Sequence, residues 1–252
     1  MTSTHNKETC FLKRNPLDLV SVFVKQLSSE DIVFLDCGSN DGCSAIKFLA
    51  THPTAKVLSL EPNPDLHSYH RLIPNTLVGC AIGESSGFID LFIDTVDGDG
   101  STTVPAKRVD ATNQFDNKDC PVIHVECIGI EDLLLSVAST GATIVLKLDV
   151  EGAEYKIISR LLASNLVRLI SSFYCEFHWD RINMPEYEHL EVIENLNNAL
   201  SRPVTDWDAF DWMINQLSGE RRRKMSQKRL LQLSKIYAKR IIAKLNIFVR
   251  KN

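Results

Sequence analysis

Three carboxylates and one lysine crowd an eight-residue segment near the middle of the chain. The segment reads KLDVEGAE at residues 147–154, and a second apolar run ends in Glu176, with His178 two residues further on. Deprotonation of a poor nucleophile such as a hydroxyl requires a proton acceptor, and histidine titrates nearest to neutral pH. We therefore predict that His178 is a general base, with Asp149 and Glu176 orienting it or its substrate. Asp149, Glu151 and Glu176 are the other candidates for the base.

A glycine-containing loop follows the first apolar run, IVFL. It reads DCGSNDG at residues 36–42, with Gly38 and Gly42 four positions apart. Dinucleotide-binding loops space their glycines as GxGxxG, and P-loops end in Gly-Lys-Ser or Gly-Lys-Thr, so this loop matches neither pattern. Glycine lets a ligand approach the backbone closely. The loop predicts a ligand without a pyrophosphate, although the glycines would also suit a tight strand-to-helix turn.

A further acidic residue, Glu61, ends the next apolar run, 25 residues after Asp36. A carboxylate at this place can accept both hydrogen bonds from a ribose diol, as it does in dinucleotide sites. Asp36 can pair with a cationic amino-acid group. An acid, a glycine loop and a second acid in this order fit S-adenosylmethionine.

Apolar strand-like runs alternate along the chain with helical segments of about ten residues. This alternation predicts an α/β fold with a doubly wound, mostly parallel, Rossmann-like sheet. One of these runs, TLVGCAIG, reads as a single strand, and residues 16–28 read as an N-terminal helix. Ligands bind at the carboxyl ends of such strands, so the functional residues are expected there. The expected strand-end residues are Asp36, Glu61, Ala81, Asp149 and Glu176.

Several segments occur in the order found in one enzyme family. They are FLDCGSNDG, LEPNP, the turn at residues 81–83, VIHVECIGIEDLL, KLDVEGAEYKII and FYCEFHW. Over residues 30–180 the chain resembles the FkbM-type methyltransferases, a class I group that depends on S-adenosylmethionine. The resemblance implies the class I methyltransferase fold. The cofactor contacts expected for this chain are Asp36, Gly38, Ser39, Asn40, Gly42, Glu61, Pro62, Ala81, Ile82 and Asp149.

The resemblance also implies the reaction, which is methyl transfer to a hydroxyl of a saccharide or a related natural product. A nitrogen acceptor is an alternative within the same fold. A catalytically silent methyltransferase fold that serves as a binding module or membrane adaptor is the alternative from another class. Mg²⁺ held by Asp149 and Glu176 would lower the pKa of the acceptor hydroxyl. We favour a site without metal, because the sequence shows no third dedicated ligand.

The charge is distributed unevenly along the 252 residues. The net charge is -4, but residues 220–252 contain 12 basic residues and one acidic residue, a net of +11, which leaves -15 on residues 1–219. Apolar residues recur in this tail at helical spacing, so it reads as a basic amphipathic helix. It could pack on the acidic body or on a second subunit, or lie on an anionic membrane surface. Nucleic acid is the least favoured partner, because aromatic residues are sparse among the basic ones.

Three regions follow from these patterns. They are an N-terminal helical extension at residues 1–29, a class I methyltransferase domain at 30–219 and the basic helical tail at 220–252. The N-terminus lacks the apolar core of a signal peptide, and the seven cysteines form no CxxC pair. We therefore expect a cytoplasmic protein, with peripheral attachment to a membrane as an alternative.

Overall fold

The computed structural model describes residues 15–94, 100–107, 120–207 and 229–243. The strands, in chain order, are β1 Ile32–Cys37, β2 Lys56–Leu60, β3 Thr76–Val78, β4 Ala81–Gly83, β5 Gly87–Phe92, β6 Val122–Gly129, β7 Thr143–Leu148, β8 Ile170–Cys175 and β9 Thr205–Asp206. The α-helices are α1 Pro16–Val24, α2 Cys43–Thr51, α3 Ile130–Ala138, α4 Glu154–Ala163, α5 Glu186–Ala199 and α6 at residues 229–243. Shorter 3-10 helices span Pro64–Leu72, Leu166–Leu169 and Trp179–Arg181.

The main sheet has six strands in the order β3-β2-β1-β7-β8-β9. Every pair of neighbouring strands in it is parallel. Parallel strands need crossover connections, and α2, α3, α4 and α5 lie in the connections between strands of this sheet. The predicted α/β fold with a mostly parallel, Rossmann-like sheet is confirmed.

The strand register brings the predicted strand-end residues to one edge of the sheet. Cys37 pairs with Leu60 of β2 and with Leu148 of β7, and Leu148 pairs with Cys175 of β8. The residues that follow β2, β7 and β8, which are Glu61, Asp149 and Glu176, therefore lie at the same edge of the sheet, with β1 between Glu61 and the other two. Asp36 lies inside β1, one residue before the strand ends.

A second, three-stranded sheet has the order β4-β6-β5, with β4 parallel and β5 antiparallel to β6. The run TLVGCAIG, predicted as one strand, supplies both β3 of the main sheet and β4 of this small sheet. The chain changes sheets at Gly79 and Cys80, which belong to neither strand. Ala81 consequently begins a strand instead of ending one, so that expectation was wrong.

Both faces of the main sheet are covered, as a doubly wound fold requires. Val33 and Leu35 of β1 belong to one apolar cluster with residues of α1, α3 and α4. Phe34, which points to the opposite face, belongs to a second cluster with residues of α2 and α6. The ring of Phe34 stacks on Phe48 of α2 at a centroid distance of 4.2 Å.

Helix α6, part of the predicted basic tail, packs on the body of the same chain. Leu233 and Ile236 are 4% and 1% exposed and join the second apolar cluster. Arg240 donates hydrogen bonds to the carbonyl oxygens of Ala55 at 3.0 Å and Pro74 at 3.2 Å. Leu233, Ile236 and Arg240 thus contact the body of the chain, whereas Leu230 and Ile241, which belong to the predicted apolar stripe, are 53% and 59% exposed.

The rest of the predicted tail, residues 220–228 and 244–252, lies outside the described residues. Self-association, membrane binding and nucleic-acid binding through the tail stay predictions. Among the residues that the structure describes, no helix combines the length and the apolar character needed to cross a membrane.

Candidate active site

The glycine loop passes between the ends of β2 and β7. The backbone N–H groups of Gly38 and Ser39 donate to the carbonyl oxygen of Leu60, at 3.1 and 3.0 Å. Gly38 has a φ of +78°, and a Cβ there would lie 1.8 Å from the carbonyl oxygen of Asp149. Only glycine satisfies both the backbone conformation and the close approach. The loop is therefore tied to the segment that carries the acidic cluster.

Glu61 is a buried carboxylate with a fixed orientation. Its Oε2 accepts a hydrogen bond from the backbone N–H of Asn40 at 2.7 Å, and its Oε1 accepts one from the N–H of Asn63 at 2.8 Å. Burial raises the pKa of Glu61 to about 7, even though both hydrogen bonds lower it. The nearby charge of Lys147 also lowers this pKa, and that of Asp36 raises it.

A cleft lies beside Glu61 and extends to the acidic segment. The predicted site residues that line it are Gly38, Asn40, Glu61, Pro62, Ala81, Ile82, Asp149 and Glu151. Ser39 is buried, and the space next to Gly42 is filled by Ile73 and His70. Gly42 has a φ of +81° where α2 begins, so it has a structural reason to be glycine. Direct cofactor contact by Ser39 and Gly42 stays a prediction.

Asp36 lies beneath the glycine loop, fully buried, with Lys147 as its counter-charge. Lys147 Nζ lies 3.4 Å from Asp36 Oδ1 and 3.1 Å from Asp149 Oδ2, and it donates to the carbonyl oxygen of Gly38 at 2.7 Å. Burial raises the pKa of Asp36 to about 6, although Lys147 lowers it. The expected pairing of Asp36 with a cationic part of the cofactor thus competes with its ion pair to Lys147.

His178 is buried at the centre of the acidic cluster. Its Nδ1 donates to Glu154 Oε1 at 3.0 Å. Glu154 Oε1 also accepts from the backbone N–H of Val150 at 2.8 Å, and its Oε2 accepts from that of Gly152 at 2.9 Å. Glu154 therefore fixes both the imidazole and the loop after β7. The favourable interaction of its negative charge with the N-terminal end of α4 is thus only part of what Glu154 does.

The other ring nitrogen of His178, Nε2, faces the remaining carboxylates. It lies 3.4 Å from Glu151 Oε2, 3.7 Å from Glu176 Oε1 and 4.0 Å from Asp149 Oδ1. The structure thus brings together all four residues predicted to act in catalysis. Burial alone would lower the pKa of His178, but the hydrogen bond and charge of Glu154 and the nearby acids raise it to about 9. This raised pKa favours the protonated imidazole at neutral pH and so disfavours His178 as the proton acceptor.

Lys107 reaches the cluster from the irregular connection between β5 and β6. This side chain is buried, forms an ion pair with Glu151 and donates to the carbonyl oxygen of Gly100 at 2.9 Å. Thr102 Oγ1 donates to the backbone oxygen of Glu151 at 2.6 Å. Residues 100–107 consequently cover one side of the acidic segment.

The comparison with known families covers this site together with strands β2 to β8. Residues 36–203, two thirds of the chain, match the FkbM methyltransferase domain. The chain belongs to the FkbM methyltransferase family. The match contains the glycine loop, Glu61 and the whole acidic cluster.

A curated FkbM-like relative is the 2-O-methyltransferase NoeI from Sinorhizobium fredii (strain NBRC 101917 / NGR234). The two sequences are 32% identical over 148 residues, which cover 54% of this chain and 60% of NoeI. The aligned region is therefore less than two thirds of the relative's length. No solved structure gave a significant match to the chain.

Three side chains of this FkbM site were not predicted as functional from the sequence. They are Glu154, an acid at a helix start where acids are common whatever the function, Lys147, and Lys107, which lies in a segment without periodicity. A charged residue one position from the end of a buried strand, as in Lys147, is a usable signal, because buried charges are normally paired. The sequence around Lys107 contains no comparable signal.

Proposed function

We propose that this FkbM family member transfers a methyl group from S-adenosylmethionine to a hydroxyl group of a saccharide or a related natural product. The observation that carries the proposal is the shared cleft. Glu61, a buried carboxylate that can accept hydrogen bonds from a ribose diol, lines one part of the cleft, and Asp149 and Glu151 line another. The name of the relative NoeI, a 2-O-methyltransferase, supports an oxygen acceptor.

The cofactor residues fit S-adenosylmethionine by their donor and acceptor capacity. An ionised carboxylate offers about four acceptor positions. Glu61 uses two of them for the N–H groups of Asn40 and Asn63, which leaves capacity for the two hydroxyls of a ribose. Ala81 and Ile82 supply an apolar wall for an adenine ring. S-adenosylmethionine, when bound, supplies a methyl group that its positively charged sulfur makes susceptible to displacement by the acceptor oxygen.

The acidic cluster fits an acceptor that is rich in hydroxyl groups. Carboxylate oxygens accept hydrogen bonds from hydroxyls, and positioning of the acceptor contributes much of the rate in a displacement of this kind. Asp149 and Glu151 each form an ion pair with a lysine, which holds the orientation of the two carboxylates. We assign them to holding the hydroxyl groups of the acceptor.

We assign the proton of the reacting hydroxyl to Glu176, the most exposed carboxylate of the cluster. Its side chain is 43% exposed, compared with 21% for Asp149 and 16% for Glu151. It can therefore reach an acceptor that enters from solvent. In this assignment His178, oriented by Glu154, positions the cluster and does not take the proton itself.

Calorimetry with S-adenosylmethionine and transfer of its labelled methyl group to a panel of sugars test the proposal. We expect binding by the unsubstituted chain and loss of binding in Glu61→Ala. Asp65→Asn, which alters an exposed acid four residues away, should bind normally. Binding without transfer to any acceptor would identify a silent module, and labelling of amines alone would identify a nitrogen acceptor; either result would reject O-methylation.

A further inference from the structure

We propose that Asp149, Glu151 and His178 form a binding site for one divalent metal ion beside the cleft. The site itself is inferred from these side chains and needs no assumption about the cofactor. Its role in holding an acceptor hydroxyl rests on the proposed function.

The first argument is the burial of His178 and the hydrogen bonding of its two ring nitrogens. The side chain is 3% exposed, and its Nε2 is buried and makes no hydrogen bond to any described residue. Its other nitrogen, Nδ1, is held by the carboxylate of Glu154, which is fully buried. Histidine ligands of metals are typically oriented in this way, with one ring nitrogen on a carboxylate and the other free for the metal. Nε2 points into the group of carboxylates.

The second argument is the spacing of the candidate ligand atoms. One atom each of Asp149, Glu151 and His178 lies within 4.8 Å of the other two. Around an ion bound at about 2.1 Å, adjacent ligand atoms are roughly 3 Å apart and opposite ones about 4.2 Å apart. The distances from Nε2 to Glu151 Oε2, 3.4 Å, and to Asp149 Oδ1, 4.0 Å, fall in this range. Glu151 Oε2 also pairs with Lys107, so an ion bound here would share this carboxylate with Lys107 or displace its ammonium group.

The third argument is charge. Four carboxylates surround His178, namely Asp149, Glu151, Glu154 and Glu176. Two lysines and one arginine face them, namely Lys107, Lys147 and Arg181, the last at 3.9 Å from Glu151. A dication would add positive charge at the centre of this group of carboxylates.

The ligand set indicates which ions suit the site. Two carboxylates favour Mg²⁺ and Mn²⁺, and an imidazole nitrogen favours Mn²⁺ or later transition metals over Mg²⁺. The sequence suggested Asp149 and Glu176 as ligands and offered no third. The structure supplies Glu151 and His178 and leaves the more exposed Glu176 at the edge of the site. A bound ion would hold an acceptor hydroxyl and lower its pKa, while Glu176 receives the proton.

The test uses the full-length protein, treated with a chelator and then titrated with MnCl₂ alone, with free Mn²⁺ measured by electron paramagnetic resonance. We expect one Mn²⁺ per chain. Glu151→Gln and His178→Gln should each weaken Mn²⁺ binding at least tenfold, as should Glu154→Gln, which removes the carboxylate behind the imidazole. Asp180→Asn, an exposed acid two residues after His178, is the matched control and should bind Mn²⁺ normally.

A spectroscopic measurement on the unsubstituted protein covers the case in which a variant does not fold. Electron spin echo modulation of bound Mn²⁺ should show coupling to a histidine nitrogen. Absence of stoichiometric Mn²⁺ binding, absence of the nitrogen coupling, or unchanged affinity in a folded Glu151→Gln or His178→Gln variant would overturn the proposal. Binding of S-adenosylmethionine to metal-free protein is measured separately, so failure of the metal site and failure of the methyltransferase proposal are distinguishable.

Discussion

Arg229, on helix α6, binds Asp41 of the glycine loop. Its Nη1 lies 3.0 Å from Asp41 Oδ2, and its Nη2 donates to the backbone oxygens of Asp41 and, at 2.8 Å, of Tyr69. Asp41 in turn accepts from the backbone N–H of Cys43, where α2 begins. His70 Nε2 donates to the carbonyl oxygen of Asn40 at 2.8 Å. The loop next to the proposed cofactor cleft is thus supported from behind by side chains far away in the sequence.

Replacement of Arg229 should loosen this loop without removing any group from the cleft. We expect Arg229→Gln to weaken binding of S-adenosylmethionine roughly three- to tenfold. A charge-assisted contact such as that between Arg229 and Asp41 contributes about 1.5–3 kcal/mol, and only part of this free energy stabilises the loop conformation that binds the cofactor. Calorimetry gives the affinity. Arg240→Gln removes an arginine of the same helix that contacts Ala55 and Pro74, and it should leave the affinity unchanged. Equal losses in both variants would contradict a specific role for Arg229.

Cofactor binding should depend on pH through Glu61. The pKa of Glu61 is raised to about 7, and a ribose diol donates to the ionised carboxylate, so a protonated Glu61 must lose its proton before binding. Affinity should therefore fall as the pH decreases, by roughly tenfold between pH 8 and pH 6. Binding isotherms over this range test the prediction. The Glu61→Gln variant should bind S-adenosylmethionine more weakly, with an affinity that hardly changes between pH 8 and pH 6. If the affinity of this variant fell with decreasing pH as in the unsubstituted protein, the pH dependence would belong to another group.

Gly38→Ala should be among the most damaging small substitutions in the chain. The added Cβ would meet the carbonyl oxygen of Asp149 at 1.8 Å, in addition to the strain of a φ of +78°. We expect the free energy of unfolding to fall by more than about 3 kcal/mol. Gly87→Ala, at a φ of +151° with no atom within 4 Å of the new Cβ, should cost only about 1–2 kcal/mol. Denaturant titration compares the two variants, and similar losses would show that steric contact at Gly38 contributes little.

The packing of α6 on the body predicts a contrast between two isoleucines. Ile236 is 1% exposed, and Ile236→Ala should reduce the free energy of unfolding by about 2–4 kcal/mol. Ile241 is 59% exposed on the same helix, so Ile241→Ala should cost less than about 0.5 kcal/mol. Thermal and denaturant unfolding measure both. An Ile236→Ala variant as stable as Ile241→Ala would mean that α6 does not rest on the second apolar cluster.

Most of the main sheet, and the strand ends that carry the candidate site, could be predicted from the sequence because they depend on local patterns, whereas the short strand β9 was missed. Buried parallel strands are continuous apolar runs, and an acid directly after such a run stands out. Glu61, Asp149 and Glu176 were found in this way. The division of TLVGCAIG between two sheets was missed, since both halves are apolar and only pairing with β2 and β6 separates them.

The chemistry of the site was less predictable, because it depends on distances between residues far apart in the chain. His178 was chosen as a base from the pKa of an isolated imidazole. Its neighbours Glu151 and Glu154 precede it by more than twenty residues, and their charge raises its pKa to about 9. Lys107, which neutralises Glu151, lies 44 residues before it in an irregular segment. Such couplings follow from tertiary packing and leave no periodic signature in the sequence.

The position of α6 also sets an order for folding during synthesis. The glycine loop is complete once residue 42 has been made, but Arg229 and the helix that covers Phe34 and Phe48 are synthesised after almost all of the sheet. Until then one face of the central strand β1 lacks part of its apolar cover, and such surfaces favour aggregation in partly folded chains. A ribosome stalled before α6 would therefore carry a sheet with an open apolar face and an unsupported glycine loop.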